Sequence, residues 1–125
     1  FLQLDGAAHI ATVYVNGVEA ATHRCGYTAF RVEVTKLVEP GRSNLLAVKL
    51  DTSENPSIPP FGFVVDYLTY GGLYREAWLD VRENGYITDI YVTTPTLTTA
   101  NVKVATDGAP DGAKLEVSIL DSRPL

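Results

Sequence analysis

The chain has 125 residues, which is enough for one ordinary domain, or for one small domain and part of another, and too short for a complete multidomain enzyme. Hydrophobic residues make up 46% and charged residues 20% of it, a composition typical of a folded globular domain. The formal net charge is −5, from 15 acidic and 10 basic residues without a basic cluster. This balance argues against nucleic acid or an anionic membrane surface as a partner.

Cysteine and histidine are too sparse for several kinds of site. Cys25 is the single cysteine, so an intrachain disulfide and a cysteine-rich metal site are excluded. His9 and His23 are isolated from each other, and no Ser/His/Asp or Cys/His grouping indicates a nucleophilic enzyme. No apolar run approaches the ~18 residues of a membrane helix, and Phe1 is not followed by a signal-peptide pattern. We therefore predict no metal site and no membrane partner, although a leader of a longer parent protein would lie outside this chain.

Apolar and polar residues alternate with period two along most of the chain, which predicts an all-β fold. The first clear strand is residues 11–15. It runs into Asn16 and Gly17, a dipeptide that favours a tight hairpin turn at the edge of a sheet. Further strands are predicted at residues 30–34 and 45–50, each with one buried and one exposed face.

The alternation stops over residues 51–65, which contain too many prolines for a central strand. We predict a long loop here, and loops of this length on a rigid sandwich are often functional. A strand over residues 76–81 follows, with Trp78 expected to serve as a core or interface anchor.

A second series of strands is predicted at residues 86–95, 100–105 and 114–120. Their spacing is typical of an immunoglobulin-like sandwich, and a domain boundary is expected near residue 85. The predicted domains are therefore residues 1–85 and 86–125, both partial. Because two or three strands cannot close a sandwich, the exposed edges are expected to need a partner or a cover.

Four sequence blocks occur in the order and approximate spacing of one known domain. They are Val-Tyr-Val-Asn-Gly at 13–17, His-Arg-Cys-Gly-Tyr-Thr-Ala-Phe at 23–30, Asn-Leu-Leu-Ala-Val at 44–48, and Asp-Tyr-Leu-Thr-Tyr-Gly-Gly-Leu-Tyr-Arg at 66–75. Together they resemble the sugar-binding domain of glycoside hydrolase family 2 over residues 1–81. Residues 86–125 resemble the first strands of the immunoglobulin-like domain that follows it in that family.

The resemblance implies a galactose-binding-domain-like jelly-roll sandwich, incomplete at its N-terminus, followed by the start of an immunoglobulin-like sandwich. It implies that the parent is a retaining exo-β-glycosidase, most like a β-galactosidase acting on terminal β-galactosides. In this family both catalytic glutamates lie on a (β/α)8 barrel, which is outside this chain. The chain is therefore expected to be truncated at both ends and inactive by itself.

Other readings of the function stay open. The alternatives within the same family are a β-glucuronidase and a β-mannosidase. A stand-alone carbohydrate-binding module and a structural spacer without a ligand are the alternatives from other classes. The expected partners are a carbohydrate, the catalytic barrel of the same parent chain and further copies of the parent in a homo-oligomer. No compartment is assigned, although the bacterial cytoplasm is favoured over secretion.

The resemblance assigns a sugar contact to Asp66, because the family's matching loop contributes an aspartate to the sugar subsite. A carboxylate can accept hydrogen bonds from two sugar hydroxyls at once, which helps to distinguish epimers. The alternative is an ordinary loop carboxylate that caps a turn. In the β-galactosidases the matching aspartate also takes part in binding a monovalent cation, whose other ligands come from the barrel. No cofactor is predicted for this chain, although the parent is expected to be able to use a monovalent or magnesium cation.

Structural roles are expected for the other residues of the blocks. Gly71 and Gly72 should form a sharp turn where Tyr70 and Tyr74 pack, and Arg75 should pair with a carboxylate or a carbonyl. The remaining motif residues are Asn16, Gly17, Gly26, Tyr27, Phe30 and Trp78. Tyr27 and Phe30 are expected in the core or at a domain interface. Cys25 stands where the family usually has a small residue, and we expect a buried, inert thiol there.

Overall fold

The computed structural model describes residues 1–59 and 69–120. These residues form ten β-strands and no helix, so none of them belongs to a helix long and apolar enough to cross a membrane. The chain divides into two compact units, Phe1–Val81 and Arg82–Leu125. The prediction of an all-β sandwich fold is confirmed.

The first unit contains eight short strands. They are β1 Leu2–Leu4, β2 Ala7–Ala8, β3 Ile10–Val15, β4 Val18–Arg24, β5 Phe30–Val32, β6 Leu46–Asp51, β7 Gly72–Leu73 and β8 Ala77–Leu79. Two three-stranded antiparallel sheets, in the orders β5-β1-β8 and β4-β3-β6, face each other. A two-stranded pairing of β2 with β7 completes the unit.

The core lies between the two three-stranded sheets, because each central strand buries alternate residues. In β1 the buried residues are Leu2 and Leu4, and in β3 they are Ala11, Val13 and Val15. Val32 of β5 and Val34, just after it, form one apolar cluster with Leu2, Leu4, Val13 and Val15. Burial of these side chains is the main stabilising contribution to the unit, at roughly 1.5–3 kcal/mol for each large apolar side chain.

The hairpin between β3 and β4 forms as its sequence predicts. Asn16 and Gly17 both have positive φ, 51° and 83°, which is the backbone geometry of a type I′ turn. The strand β4 pairs with β3 alone and so lies at the edge of its sheet, as expected.

The second unit is built on one long hairpin of β9 Tyr86–Thr96 and β10 Thr99–Asp107. Its cross-strand pairs include Ile90 with Val104 and Val92 with Val102, which places these apolar residues on one face. The prediction of a strand over residues 114–120 is wrong, since those residues lie outside any strand. Their alternate apolar side chains are exposed because no neighbouring strand within residues 82–120 pairs with them.

Two aromatic residues for which a core or an interface position was predicted do not lie in the core, and the interface alternative stays a prediction. Trp78 is 45% exposed and not in the core, because β8 pairs at the edge of its sheet and exposes all three of its residues. Tyr27 is also not a core residue, since it is 44% exposed in an irregular stretch before β5. Phe30, in contrast, is partly buried against the core cluster as predicted.

Two further expectations are corrected. Tyr70 does not pack beside Gly71 and Gly72 as predicted, because the residue is 71% exposed. The thiol of Cys25 is only partly buried, since the residue follows the edge strand β4 and does not enter the sandwich.

Candidate functional site

The aspartate assigned to the sugar by resemblance, Asp66, lies outside the described residues, as do all of residues 60–68. The structure does describe the two chain segments that lead into and out of this stretch, residues 52–59 and 69–74. We refer to these two segments together as the loop neck. They show how the chain is attached to the sandwich on either side of residues 60–68.

Both sides of the loop neck are hydrogen-bonded to the same residue, Gly26. On the incoming side, the Gly26 N–H donates to the carbonyl of Pro59 at 2.8 Å. On the outgoing side, the hydroxyl of Tyr74 donates to the Gly26 carbonyl. Gly26 is itself buried. We call these three residues the Gly26 junction.

Tyr74 and Arg75 form one compact group at the junction. The Arg75 guanidinium lies over the Tyr74 ring at 5.3 Å, and its Nη1 donates to the carbonyl of Tyr27 at 3.3 Å. The predicted pairing of Arg75 with a carbonyl is therefore found. Gly6 packs beneath both side chains: a Cβ there would lie 2.9 Å from Tyr74 Cζ and 3.0 Å from Arg75 Cδ. A side chain at position 6 would push this group away from the junction.

The two segments of the loop neck also touch each other. Gly72 has a φ of +114°, and a Cβ on the adjacent Gly71 would overlap the side chain of Thr52. Glycine is therefore required at 72 by the positive φ and at 71 by a close approach. The sharp turn predicted at these glycines is not found, because Gly72 begins strand β7. Farther along, the Thr69 hydroxyl donates to a carboxylate oxygen of Glu54 at 3.4 Å.

His9 lies at the base of the loop neck, between β2 and β3. Its N–H donates to the carbonyl of Asp51 at 3.0 Å, and the preceding residue pairs with Gly72. The residue is only 3% exposed, and neither ring nitrogen has a hydrogen-bond partner within the described parts of the chain. Such a buried polar group is unusual and costs free energy.

The Asp51 carboxylate, at the end of β6, is exposed and accepts a hydrogen bond from the backbone N–H of Ser53 at 2.9 Å. This bond, the Ser53 hydroxyl and the nearby charges of Lys49 and His9 together hold the pKa of Asp51 below its ordinary value, against a smaller effect of desolvation.

A second polar cluster surrounds Cys25. Burial raises the pKa of its thiol, but hydrogen bonds from the Thr28 hydroxyl and from the N–H groups of Tyr27 and Thr28 together outweigh it, and the pKa is lowered. The Thr28 hydroxyl is also 2.8 Å from His23 Nε2, and the His23 ring stacks on Phe30 at 4.3 Å. Over the described residues, no group of three or more His, Cys, Asp or Glu side chains could hold a metal ion.

The structure thus brings together four of the motif residues, Gly26, Tyr27, Tyr74 and Arg75. Asn16 and Gly17 form the β3–β4 turn, and Trp78 lies on the outer face of β8, so these three take no part in the junction. The sequence analysis missed Gly6, Pro59 and His9. For Gly6 a usable signal existed, because an Asp-Gly dipeptide marks a turn. Nothing in the sequence pattern marked His9.

No protein-family model matches the chain. A β-galactosidase of Thermoanaerobacter pseudethanolicus is 39% identical to it over 92 residues, which are 73% of this chain and 12% of that enzyme. A β-glucuronidase of Bacteroides fragilis is 33% identical over 118 residues, covering 94% of this chain and 17% of that enzyme. The chain therefore spans less than a fifth of the length of each of these relatives.

A solved structure of an enzyme of one of these two types has a similar fold. The crystal structure of a Ruminococcus gnavus β-glucuronidase superimposes on 84% of this chain with a TM-score of 0.74 and 23% identity, using 20% of that structure. At this level of identity the likeness shows the fold alone. The two curated relatives are enzymes of the types that the resemblance predicts.

Proposed function

We propose that this chain, a relative of the β-galactosidases and β-glucuronidases of glycoside hydrolase family 2, is a non-catalytic sugar-binding part of a retaining exo-β-glycosidase. The parent would hydrolyse terminal β-galactosides. The catalytic glutamates would be supplied by a (β/α)8 barrel elsewhere in the parent, and the parent would assemble as a homo-oligomer.

In this proposal the first compact unit is the partial sugar-binding sandwich and the second is the start of an immunoglobulin-like sandwich. The first unit supports this role through its two packed sheets, with the loop neck attached to them. The second contributes a hairpin with one apolar face, as expected of strands that cover another sheet.

The observation that carries the proposal is the loop neck, the two described segments on either side of the stretch that contains Asp66. Its two ends are hydrogen-bonded to one buried glycine and close on each other at Thr52 and Gly71. A loop held in this way at its base can present a carboxylate from a rigid scaffold, which is what recognition of sugar hydroxyls requires. Asp66 is the residue that we assign to that contact.

Two observations bear on the alternatives. The Bacteroides fragilis and Ruminococcus gnavus relatives are β-glucuronidases, which makes β-glucuronidase the second candidate. A stand-alone carbohydrate-binding module would present an aromatic platform to the sugar. Two exposed aromatic residues of the first unit lie on different segments, Trp78 on strand β8 and Tyr70 in the loop neck.

The test compares the isolated chain with the full-length enzyme on nitrophenyl β-galactoside, β-glucuronide and β-mannoside. We expect turnover of the galactoside by the full-length enzyme and none by the isolated chain. Turnover by the isolated chain would contradict a non-catalytic role. Preferential turnover of the glucuronide by the full-length enzyme would replace galactose with glucuronic acid as the substrate.

A further inference from the structure

The chain contains two Asn-Gly dipeptides, Asn16-Gly17 and Asn84-Gly85. An asparagine that precedes glycine can react within the chain, because glycine has no side chain to hinder the approach of its backbone nitrogen to the asparagine amide. The two dipeptides lie in different surroundings. Asn16 belongs to the β3–β4 turn of the first unit, and Asn84 comes just before β9 in the second.

The side chain of Asn16 is held by three hydrogen bonds. Its Nδ2 donates to the carbonyl of Leu37 and to Asn44 Oδ1, both at 2.8 Å. Its Oδ1 accepts the N–H of Leu45 at 2.9 Å. These bonds attach the amide to the chain that precedes β6, so they would have to break before the amide could react with the nitrogen of Gly17.

The surroundings of Asn84 impose no such restraint. Asn84 and Gly85 are both exposed, and within residues 1–59 and 69–120 neither the Asn84 side chain nor the Gly85 N–H has a hydrogen-bond partner. A Cβ on Gly108 would lie 3.2 Å from the Gly85 nitrogen, so glycine at position 108 leaves that nitrogen uncovered. The amide and the nitrogen that would attack it are therefore both accessible.

From this contrast we infer that Asn84 is a site of spontaneous deamidation, whereas Asn16 is protected by its hydrogen bonds. The Gly85 nitrogen attacks Asn84 Cγ and forms a cyclic succinimide. The Cγ–Nδ2 bond breaks, and Nδ2 leaves as ammonia after the proton of the Gly85 nitrogen has reached it through solvent. A water molecule then opens the ring at one of its two carbonyls and gives aspartate or isoaspartate. Either product adds a negative charge beside Glu83.

The experiment follows both asparagines in the folded, full-length protein during incubation at mildly alkaline pH. Trypsin cleaves after Arg24, Arg82 and Lys103, so Asn16 and Asn84 fall in separate peptides. Mass spectrometry with fragmentation locates each converted residue, and a sample taken before incubation corrects for conversion during digestion. We expect Asn84 to convert at least about tenfold faster than Asn16, because three hydrogen bonds protect the Asn16 amide.

Two controls separate the effect of the fold from that of the dipeptide. In denaturant both asparagines should convert at similar rates, since no hydrogen-bond network then protects Asn16. Asn44→Ala removes one partner of Asn16 and should speed conversion there by about three- to tenfold, with Asn84 unchanged.

Equal rates at the two asparagines in the folded protein would overturn the inference. Conversion of Asn84 in denaturant but not in the folded protein would overturn it as well. An unchanged rate at Asn16 in Asn44→Ala would contradict protection by the hydrogen bonds. Asn84 lies outside the loop neck, and the reaction requires no part of the proposed function.

Discussion

Asn16, in the turn between β3 and β4, donates a hydrogen bond of 2.8 Å from its side-chain amide to the side-chain oxygen of Asn44. The same amide donates to the carbonyl of Leu37 at 2.8 Å, and its oxygen accepts the N–H of Leu45 at 2.9 Å. Asn44 in turn bonds to both backbone groups of Glu39. These two asparagines fasten the β3–β4 hairpin to the loop that precedes β6.

Replacement of Asn16 by alanine should lower the free energy of unfolding by about 2–3 kcal/mol. The substitution removes the side-chain hydrogen bonds, each worth about 0.5–1.5 kcal/mol net, and forces a residue with a Cβ and no polar group into positive φ. Asn16→Gly is the control, because glycine accepts the positive φ and loses only the hydrogen bonds. Urea denaturation measures both variants. Equal stability of Asn16→Ala and wild type would contradict the role of this network.

Removal of the Thr28 hydroxyl should make the Cys25 thiol less reactive. Since that hydroxyl contributes to the lowered pKa of Cys25, Thr28→Val should raise the pKa and slow alkylation at neutral pH. Cys25 is the single cysteine, so the pH profile of iodoacetamide labelling reports on it directly. In denaturant the two proteins should react at the same rate. A profile of Thr28→Val identical to that of the native wild type would show that the hydroxyl has no influence.

The charge of Asp51 should stabilise the fold above about pH 4 and cease to do so at lower pH. Its pKa is lower in the folded chain than in the unfolded chain, so ionisation favours the folded state. That contribution is complete above the unfolded pKa of about 3.9 and is lost as the pH falls through the lower, folded pKa. Asp51→Asn should therefore have a lower Tm than wild type at pH 6, and the difference should shrink toward pH 2. A difference independent of pH would contradict this account.

His9 should be replaceable by an apolar residue with a gain in stability. Both ring nitrogens are buried without a partner in the described part of the chain, and each unsatisfied group costs about 1–3 kcal/mol. We expect His9→Leu to raise the free energy of unfolding by about 1–3 kcal/mol, measured by denaturant titration. A loss of the same size would show that the imidazole is hydrogen-bonded, for example to a buried water molecule.

Local patterns predicted the longer strands, because alternation and the Asn16-Gly17 turn depend on neighbouring residues. The strands β1, β2 and β7 were not predicted, since each has only two or three residues. The prediction of a strand over residues 114–120 failed, because a strand forms only where a partner strand pairs with it. Trp78 shows a related limit: alternation predicted the strand but did not show that β8 exposes all three of its residues.

The candidate site was less predictable than the strands. The Gly26 junction joins residues distant in sequence, so no local pattern could reveal it. Asp66 was assigned by resemblance to a family and not from the pattern of neighbouring residues.

The most direct test of the central claim is the hydrolysis of nitrophenyl β-galactoside by the full-length enzyme, with wild type and Asp66→Asn measured side by side. A carboxylate that accepts sugar hydroxyls contributes charge-assisted bonds that an amide does not replace. We predict that Asp66→Asn lowers kcat/KM by at least about tenfold with an unchanged Tm. An unchanged kcat/KM would show that this domain is scaffold alone and would contradict the claim.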